Sequence, residues 1–107
     1  MAHALYDDAH IVVLSGELDA YRVAEVRQAL AAARDKERVV IDMSGVQIIS
    51  AAVLTEFVRC YKERLKQGYE PARMVAASPH VRRIFEITEL AKLWPFYESM
   101  ADAQLSH

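Results

Sequence analysis

Apolar residues occur along this chain at two different spacings, which alternate. A continuous β-branched run at positions 11–14 predicts a buried strand that ends in a turn at the Ser-Gly pair 15–16. A weaker run at 3–6 predicts an earlier strand, and the Asp-Asp-Ala sequence at 7–9 would close a hairpin between the two. The chain is therefore predicted to open with two antiparallel strands.

The spacing then changes to that of a helix. From Ala20 onward, apolar residues recur at steps of three and four, and Asp19 is placed as the N-cap. A second, longer helix is predicted to include Leu65 in its apolar face and to end before Gly68, because glycine is common just past a helix end. Similar reasoning predicts a strand that begins at 39–41 and ends at 42–45, strands at 74–77 and 95–97, and helices capped by Ser50, Ser78 and Ser99.

The predicted elements follow the order β-β-α-β-α-β-α-β-α. Alternating strands and helices favour parallel strands joined by crossover helices, whereas the opening hairpin would make the sheet mixed. We expect an α/β fold, with a mixed four- to five-stranded sheet flanked by about four helices. The 107 residues suit one domain, and no repeat or boundary divides residues 1–107.

Charge argues against a nucleic-acid partner. The net charge is −2, from 13 basic and 15 acidic residues, so the chain lacks the basic field on which generic nucleic-acid binding depends. Basic residues in the second half are predicted to form a solvated face, with Glu56 and Glu63 near enough to pair with them. This predicted face comprises Arg59, Lys62, Arg64, Lys66, Arg82 and Arg83.

The compartment is predicted from cysteine and apolar content. A single cysteine, Cys60, excludes an internal disulfide and fits a reducing environment. The most apolar window, 46–58, is interrupted by polar residues and is shorter than the roughly 20 residues of a membrane span. The first residues carry acid where a signal peptide carries base. We expect a soluble cytoplasmic protein without direct membrane insertion.

Residue patterns for catalysis and cofactor binding are missing from the sequence. The three glycines stand apart, so no phosphate-binding loop is present, and the four histidines are not spaced as metal ligands. Cys60 has no neighbouring histidine and is predicted to be a small helix-packing residue. Glu17 and Asp19 form a close acidic pair, but the cap already accounts for Asp19. We therefore expect no enzyme, no cofactor and no metal site.

The junction between the second main strand and the long helix is harder to explain by packing. Ser50 is placed to cap the helix, and Ala51 and Ala52 leave a low surface that another protein can approach closely. Carboxyl ends of parallel strands and N-termini of helices are common binding positions. The alternative is that Ser50 is only a cap and the alanines only good helix formers. These residues leave both interpretations open.

Three segments carry a family resemblance. They are Leu-Ser-Gly-Glu-Leu-Asp at 14–19, Val-Ile-Asp-Met-Ser-Gly-Val at 40–46, and Ser-Pro-His-Val-Arg-Arg-Ile-Phe-Glu at 78–86. In this order and at these separations, the chain resembles the STAS domain family, in particular bacterial anti-anti-sigma factors. The resemblance covers nearly the whole chain and implies a mixed sheet flanked by helices, in agreement with the element order.

The resemblance also locates a departure from the family pattern. This branch of the family carries an Asp-Ser-Ser-Gly-like stretch at the start of the second helix, where a partner kinase, itself the anti-sigma factor, phosphorylates the first hydroxyl residue. Counting from Asp42 without gaps places Ser50 at the aspartate, Ala51 at the acceptor serine and Val53 at the glycine. Three consequences stay open: binding without this brake, phosphorylation of Ser50 instead, or use of the surface in a different complex.

The function implied by the resemblance is regulatory and non-enzymatic. We expect an anti-sigma factor antagonist that binds an anti-sigma factor or serine kinase-like protein. The alternative is a scaffold subunit in a stressosome-like sensory assembly or a transporter-associated complex, with other STAS-containing proteins as partners; a homodimer is also left open. Ser50 is the candidate phosphoacceptor. The residues predicted to contact the partner are Glu17, Asp19, Ser44, Ser50, Ala51, Ala52, Thr55 and Ser78.

Overall fold

The computed structural model describes residues 8–105, in which strands and helices alternate. The strand predicted at 3–6 lies outside the described residues, as does position 7 of the predicted hairpin turn. Two short 3₁₀ turns, Ala20–Arg22 and Leu90–Lys92, accompany the main elements. These main elements are β1 (His10–Leu18), α1 (Val23–Ala31), β2 (Val39–Ile49), α2 (Ala51–Lys66), β3 (Arg73–Val75), α3 (Pro79–Ile87), β4 (Phe96–Tyr97) and α4 (Met100–Gln104).

The strands form one sheet in the order β1-β2-β3-β4, and every described pair is parallel. This arrangement confirms the predicted α/β fold, with parallel strands joined by helices. The antiparallel strand that would make the sheet mixed belongs to the segment at 3–6, outside the described residues.

The first two strands are longer than the sequence pattern predicts. The Ser-Gly pair at 15–16 does not end β1, and Gly45 does not end β2, because the two strands stay paired to Leu18 and Ile49 with register shifts on the way. A Cβ atom on Gly45 would lie 2.9 Å from the Cβ of Ser15, so only glycine allows this close approach. The predicted turn is therefore wrong, and the Ser-Gly pair marks an irregularity inside the ladder.

The burial predicted for β1 is also only half right. Val12 and Leu14 are buried, whereas Ile11 is 41% exposed and Val13 is 67% exposed. Successive strand residues point to opposite faces of a sheet. Among the described residues, the first face of β1 meets the main core, while its second face stays accessible.

The two faces of the sheet carry cores of different size. The larger core joins the sheet to α1, α2 and α3, and its centre is a set of aromatic rings. Phe57 lies 6.0 Å from Phe85 and 6.1 Å from Trp94 between ring centroids, each pair in an edge-to-face arrangement. On the opposite face, α4 covers Val40 and Val75. The helices thus lie on both faces, unequally.

Serine caps begin three helices, as predicted. Ser50, Ser78 and Ser99 each accept a hydrogen bond from the backbone N–H three residues ahead, in α2, α3 and α4 respectively. Asp19 also accepts a backbone N–H, from Tyr21 at 3.0 Å, but it caps the 3₁₀ turn Ala20–Arg22 rather than α1 itself. Gly68 follows the end of α2, as predicted.

The predicted faces of α2 need one correction. Leu65 is 49% exposed, whereas Arg64, predicted to be solvated, is 2% exposed. The Arg64 guanidinium donates hydrogen bonds to the backbone carbonyls of Ala33 and Glu70, at 3.1 and 2.7 Å. Spacing alone cannot reveal these distant acceptors. Cys60 is buried, as predicted for a helix-packing residue.

Candidate functional site

The candidate site lies where β1 and β2 end together. Leu18 pairs with Ile49, and the Ser50 N–H donates to the Leu18 carbonyl at 2.9 Å. The chain around Asp19 is therefore held beside the start of α2. The neighbouring strand β3 ends earlier, since its last residue, Val75, pairs with Asp42. The ends of β1 and β2 thus project beyond the rest of the sheet.

Ser50 joins this strand end to the helix. Its hydroxyl accepts a hydrogen bond from the Val53 N–H at 3.4 Å, and its carbonyl accepts the Leu54 N–H at 3.0 Å. The side chain is half-buried. The structure therefore confirms the cap, and the local task of the Ser50 hydroxyl is to satisfy a backbone donor of the first helical turn.

The first turn of α2 presents a low, neutral surface. Ala51, Ala52 and Thr55 are all exposed. The Thr55 hydroxyl donates to the Ala51 carbonyl at 3.2 Å, so it bonds within the helix. We call the surface formed by Ser50, Ala51, Ala52 and Thr55 the α2 ledge. Its small side chains leave the helix backbone close to solvent, and the described side chains do not cover it.

An acidic turn borders the α2 ledge, at the end of β1. Glu17 is exposed and pairs with Ile48 across the strands, and among residues 8–105 it forms no ion pair. Asp19 is half-buried and holds the turn through its bond to Tyr21. The 3₁₀ turn packs against α2. Asp19 is therefore brought beside the ledge, with Glu17 two residues before it on β1.

Arg22 fixes the shape of the acidic turn. Its guanidinium donates to the Ser15 carbonyl and to both carboxylate oxygens of Glu25. Those hydrogen bonds lower the pKa of Glu25 and raise the pKa of Arg22. Gly16 has a φ of +83°, and a Cβ atom there would lie 3.1 Å from Arg22. A side chain at Gly16 would thus strain the backbone and crowd the arginine.

Sequence reasoning missed two apolar side chains at this site. Tyr21 is 97% exposed on the 3₁₀ turn, and Ile48 is 44% exposed beside Glu17. The sequence held a signal for each: Tyr21 is an aromatic residue in a polar turn, and Ile48 alternates with the buried Ile49. Aromatic side chains are enriched at protein interfaces, so the exposed Tyr21 is a candidate contact.

Ser44 and Ser78 lie apart from the α2 ledge. Ser44 is exposed six residues before Ser50 on β2, and its N–H donates to the Asp42 carboxylate at 2.9 Å. Ser78 caps α3 and lines a cleft of about 720 Å³ with Arg82 and Arg83, beside the end of β3. Six of the eight predicted contact residues therefore lie at the ends of β1 and β2 or on the first turn of α2. Ser44 and Ser78 lie nearer to the end of β3, which is the shorter strand edge.

The structure offers no evident metal chemistry in its described part. Residues 8–105 contain no group of three or more histidine, cysteine, aspartate or glutamate residues that could hold a metal ion. Burial raises the pKa of the Cys60 thiol, which disfavours the reactive thiolate. Within residues 8–105, no helix combines the length and apolar character needed to cross a membrane.

Comparison with known proteins gives one consistent result. The STAS domain family matches residues 3–103. An anti-sigma-B factor antagonist of Listeria monocytogenes is 33% identical over 90 residues, which cover 81% of this chain and 78% of the relative.

Solved structures agree in fold. A crystal structure of an anti-sigma factor antagonist from Mycobacterium paratuberculosis matches with a TM-score of 0.78 at 30% identity, over 91% of this chain and 83% of the other. The Bacillus cell fate determinant SpoIIAA in its phosphorylated form matches with a TM-score of 0.67 at 16% identity, over 87% and 85%.

Proposed function

We propose that this chain, which belongs to the STAS domain family and resembles anti-sigma factor antagonists, binds an anti-sigma factor of the kinase type. The bound partner would no longer be available to its sigma factor. In this proposal the chain acts by binding and carries out no reaction itself.

The exposed α2 ledge is the observation that carries this proposal. Ala51, Ala52 and Thr55 leave the start of a 16-residue helix uncovered by the described side chains. Tyr21 adds exposed aromatic area on the 3₁₀ turn that packs against α2, and Ile48 lies exposed two residues before Ser50. A partner can therefore approach the helix backbone closely and bury an aromatic side chain at the edge, which is how many strong interface contacts are built.

We further propose that the partner binds without a phosphorylation brake at the usual position. By the family resemblance, Ala51 occupies the place of the acceptor serine, and alanine has no hydroxyl group. A phosphate would add about −1.5 to −2 charges and three bulky oxygens, which would repel a partner docked there. Without an acceptor, the chain would stay in its binding-competent form.

The matched variants Ala52→Glu and Ala101→Glu test the docking surface. Both alanines are exposed at the second position of a helix capped by a serine, so a carboxylate is tolerated by the helix dipole in each. Ala101 lies on α4, which packs against the opposite face of the sheet. The two variants therefore differ in place and not in helix chemistry.

The assay is biolayer interferometry against the purified kinase-type anti-sigma factors of the source organism. The anti-sigma-B factor of Listeria monocytogenes is a further probe. We expect Ala52→Glu to weaken binding by about 100-fold or more, because it buries an unpaired charge, and Ala101→Glu to bind like the parent. If Ala52→Glu left the affinity unchanged, the α2 ledge would be excluded as the docking surface. If the parent chain bound none of these anti-sigma factors, the proposed function would be excluded.

Phosphorylation of Ser50 is tested separately. The chain is incubated with the bound anti-sigma factor and ATP, and its intact mass is measured, with Ser50→Ala as control. We expect no added phosphate, which is consistent with the cap bond and half-burial of the Ser50 hydroxyl. A phosphate that is added to the parent chain but not to Ser50→Ala would mean that the acceptor had moved by one residue and that the phosphorylation brake is kept.

A further inference from the structure

Beyond the α2 ledge, the exposed side of α2 is basic. A helix places residues three, four, seven and eleven positions apart on one side, so Thr55 is followed on the same side by Arg59, Lys62 and Lys66. All three basic side chains are exposed. We call Arg59, Lys62 and Lys66 the basic stripe. It continues the ledge to the last turn of the helix.

The charges of this stripe are largely uncommitted. Among residues 8–105, neither Lys62 nor Lys66 forms an ion pair. Arg59 lies 3.8 Å from the Glu56 carboxylate, but that carboxylate is buried and already accepts two hydrogen bonds from Arg27. The stripe therefore presents local positive charge on a chain whose net charge is −2.

The stripe contains two like-charged pairs. Arg59 and Lys62 are three residues apart, and Lys62 and Lys66 are four apart, so each pair repels; Glu63, four residues after Arg59 and three before Lys66, offsets part of this repulsion. The helix dipole favours Lys66 in the last turn, but that effect falls off within one turn and does not extend to Arg59. An opposing negative surface would remove the repulsion.

A shallow groove joins the stripe to the ledge. Its volume is about 340 Å³, and Thr55 belongs to both the groove and the ledge. Half-buried Val58 adds apolar surface among the basic side chains, and the acidic residue Glu63 also lines the groove. Continuity with the ledge means that a protein docked on Ala52 would meet the stripe as well.

We propose that the basic stripe binds an acidic surface of the anti-sigma factor, so that one partner covers α2 from its first turn to its last. This inference rests on the proposed function and adds the chemistry of the partner. Because Lys62 and Lys66 are exposed, they attract an acidic partner surface before the two proteins touch. This attraction mainly accelerates association, and it weakens as the salt concentration rises.

The test reverses charge at two places by the same amount. Lys62→Glu with Lys66→Glu changes the stripe, and Arg83→Glu with Lys92→Glu changes exposed residues outside α2. Both double variants shift the net charge equally, so any difference between them is local. Circular dichroism and thermal unfolding confirm that each is folded.

Association and dissociation rates are measured against the anti-sigma factor that the parent chain binds, at 50 and 500 mM salt. We expect the stripe variant to associate about tenfold more slowly at low salt, with dissociation little changed, and the difference to shrink at high salt. The control variant should associate within about threefold of the parent. Equal association rates for the two variants would overturn the inference and leave the proposed function standing.

An anionic membrane is the competing explanation for a basic helix face. Flotation with vesicles of phosphatidylcholine and phosphatidylserine at 70:30 tests it, with the same two double variants. We expect no binding of the parent chain at physiological salt, since three exposed cations are a weak membrane signal. Vesicle binding that the stripe variant loses would overturn the assignment to a protein partner.

Discussion

Replacing Arg64 by alanine is expected to destabilise this protein far more than its place on a charged helix suggests. The side chain is 2% exposed, and its guanidinium donates to four backbone carbonyls, those of Ala33, Lys36, Glu37 and Glu70. These carbonyls belong to the segments that follow α1 and α2. Arg64 therefore ties both segments to the second helix.

The size of the effect follows from these contacts. The bond to the Ala33 carbonyl is buried, and leaving that oxygen unsatisfied costs about 1–3 kcal/mol. The other three carbonyls are only partly buried, so water replaces most of what they lose. Burial of the aliphatic stem adds about 2 kcal/mol, from roughly 0.8 kcal/mol for each CH₂ group. The sum is about 3–5 kcal/mol, a large part of the 5–15 kcal/mol typical of a domain.

Urea unfolding followed by circular dichroism measures the change. Arg83→Ala is the control, because Arg83 is an exposed helical arginine and should change the free energy of unfolding by no more than about 0.5 kcal/mol. The urea dependence should stay that of the parent in both variants. A loss below about 1 kcal/mol for Arg64→Ala would refute the stabilising role of the buried guanidinium.

Three further changes have defined outcomes. Ser50→Ala should lower the free energy of unfolding by about 1 kcal/mol in the urea assay, through loss of the cap to Val53, whereas Ser50→Asp should stay within about 0.5 kcal/mol of the parent. Hydrogen bonds from Arg27 lower the pKa of the Glu56 carboxyl, so the ionised Glu56 stabilises the fold above the ordinary glutamate pKa of about 4.3, and this stabilisation is lost as pH falls through the lowered value. Glu56→Gln should therefore be less stable than the parent at pH 7, and the difference in the free energy of unfolding should narrow in acid. A difference that widens in acid would contradict the ion pair. Burial raises the pKa of the Cys60 thiol, so iodoacetamide should label it much faster in urea than in the native protein, and equal rates would contradict its burial.

Local signals made much of the fold predictable. Ser50, Ser78 and Ser99 each mark a helix start, because the side-chain oxygen that caps a helix lies only a few residues from the donor it satisfies. The change of apolar spacing after Asp19 likewise depends on residues within one segment. Such features need no knowledge of distant contacts.

Distant contacts explain what the sequence pattern could not reveal. Spacing predicts Leu65 in the core and Arg64 in solvent, but the acceptors of Arg64 lie up to 31 residues away. The extent of β1 and β2 depends on how closely Gly45 approaches Ser15, which only the paired strands define.

The candidate site was predictable only in part, because strand pairing between distant segments brings its residues together. Glu17, Asp19 and Ser50 come together because Leu18 and Ile49 end their strands in register, which the spacing of apolar residues does not show. Nothing local distinguishes Ser78 from Ser50, since both are serine caps. The lengths of the strands place them at different levels of the sheet.

A ¹⁵N-labelled sample titrated with the proposed anti-sigma factor partner tests whether the α2 ledge is the docking surface, because amide signals report contact residue by residue. We predict that signals of the acidic turn and the α2 ledge shift or broaden first, with the strongest effects at Glu17, Tyr21, Ala52 and Thr55. Perturbations confined to α4 and the face of the sheet beneath it would contradict the account.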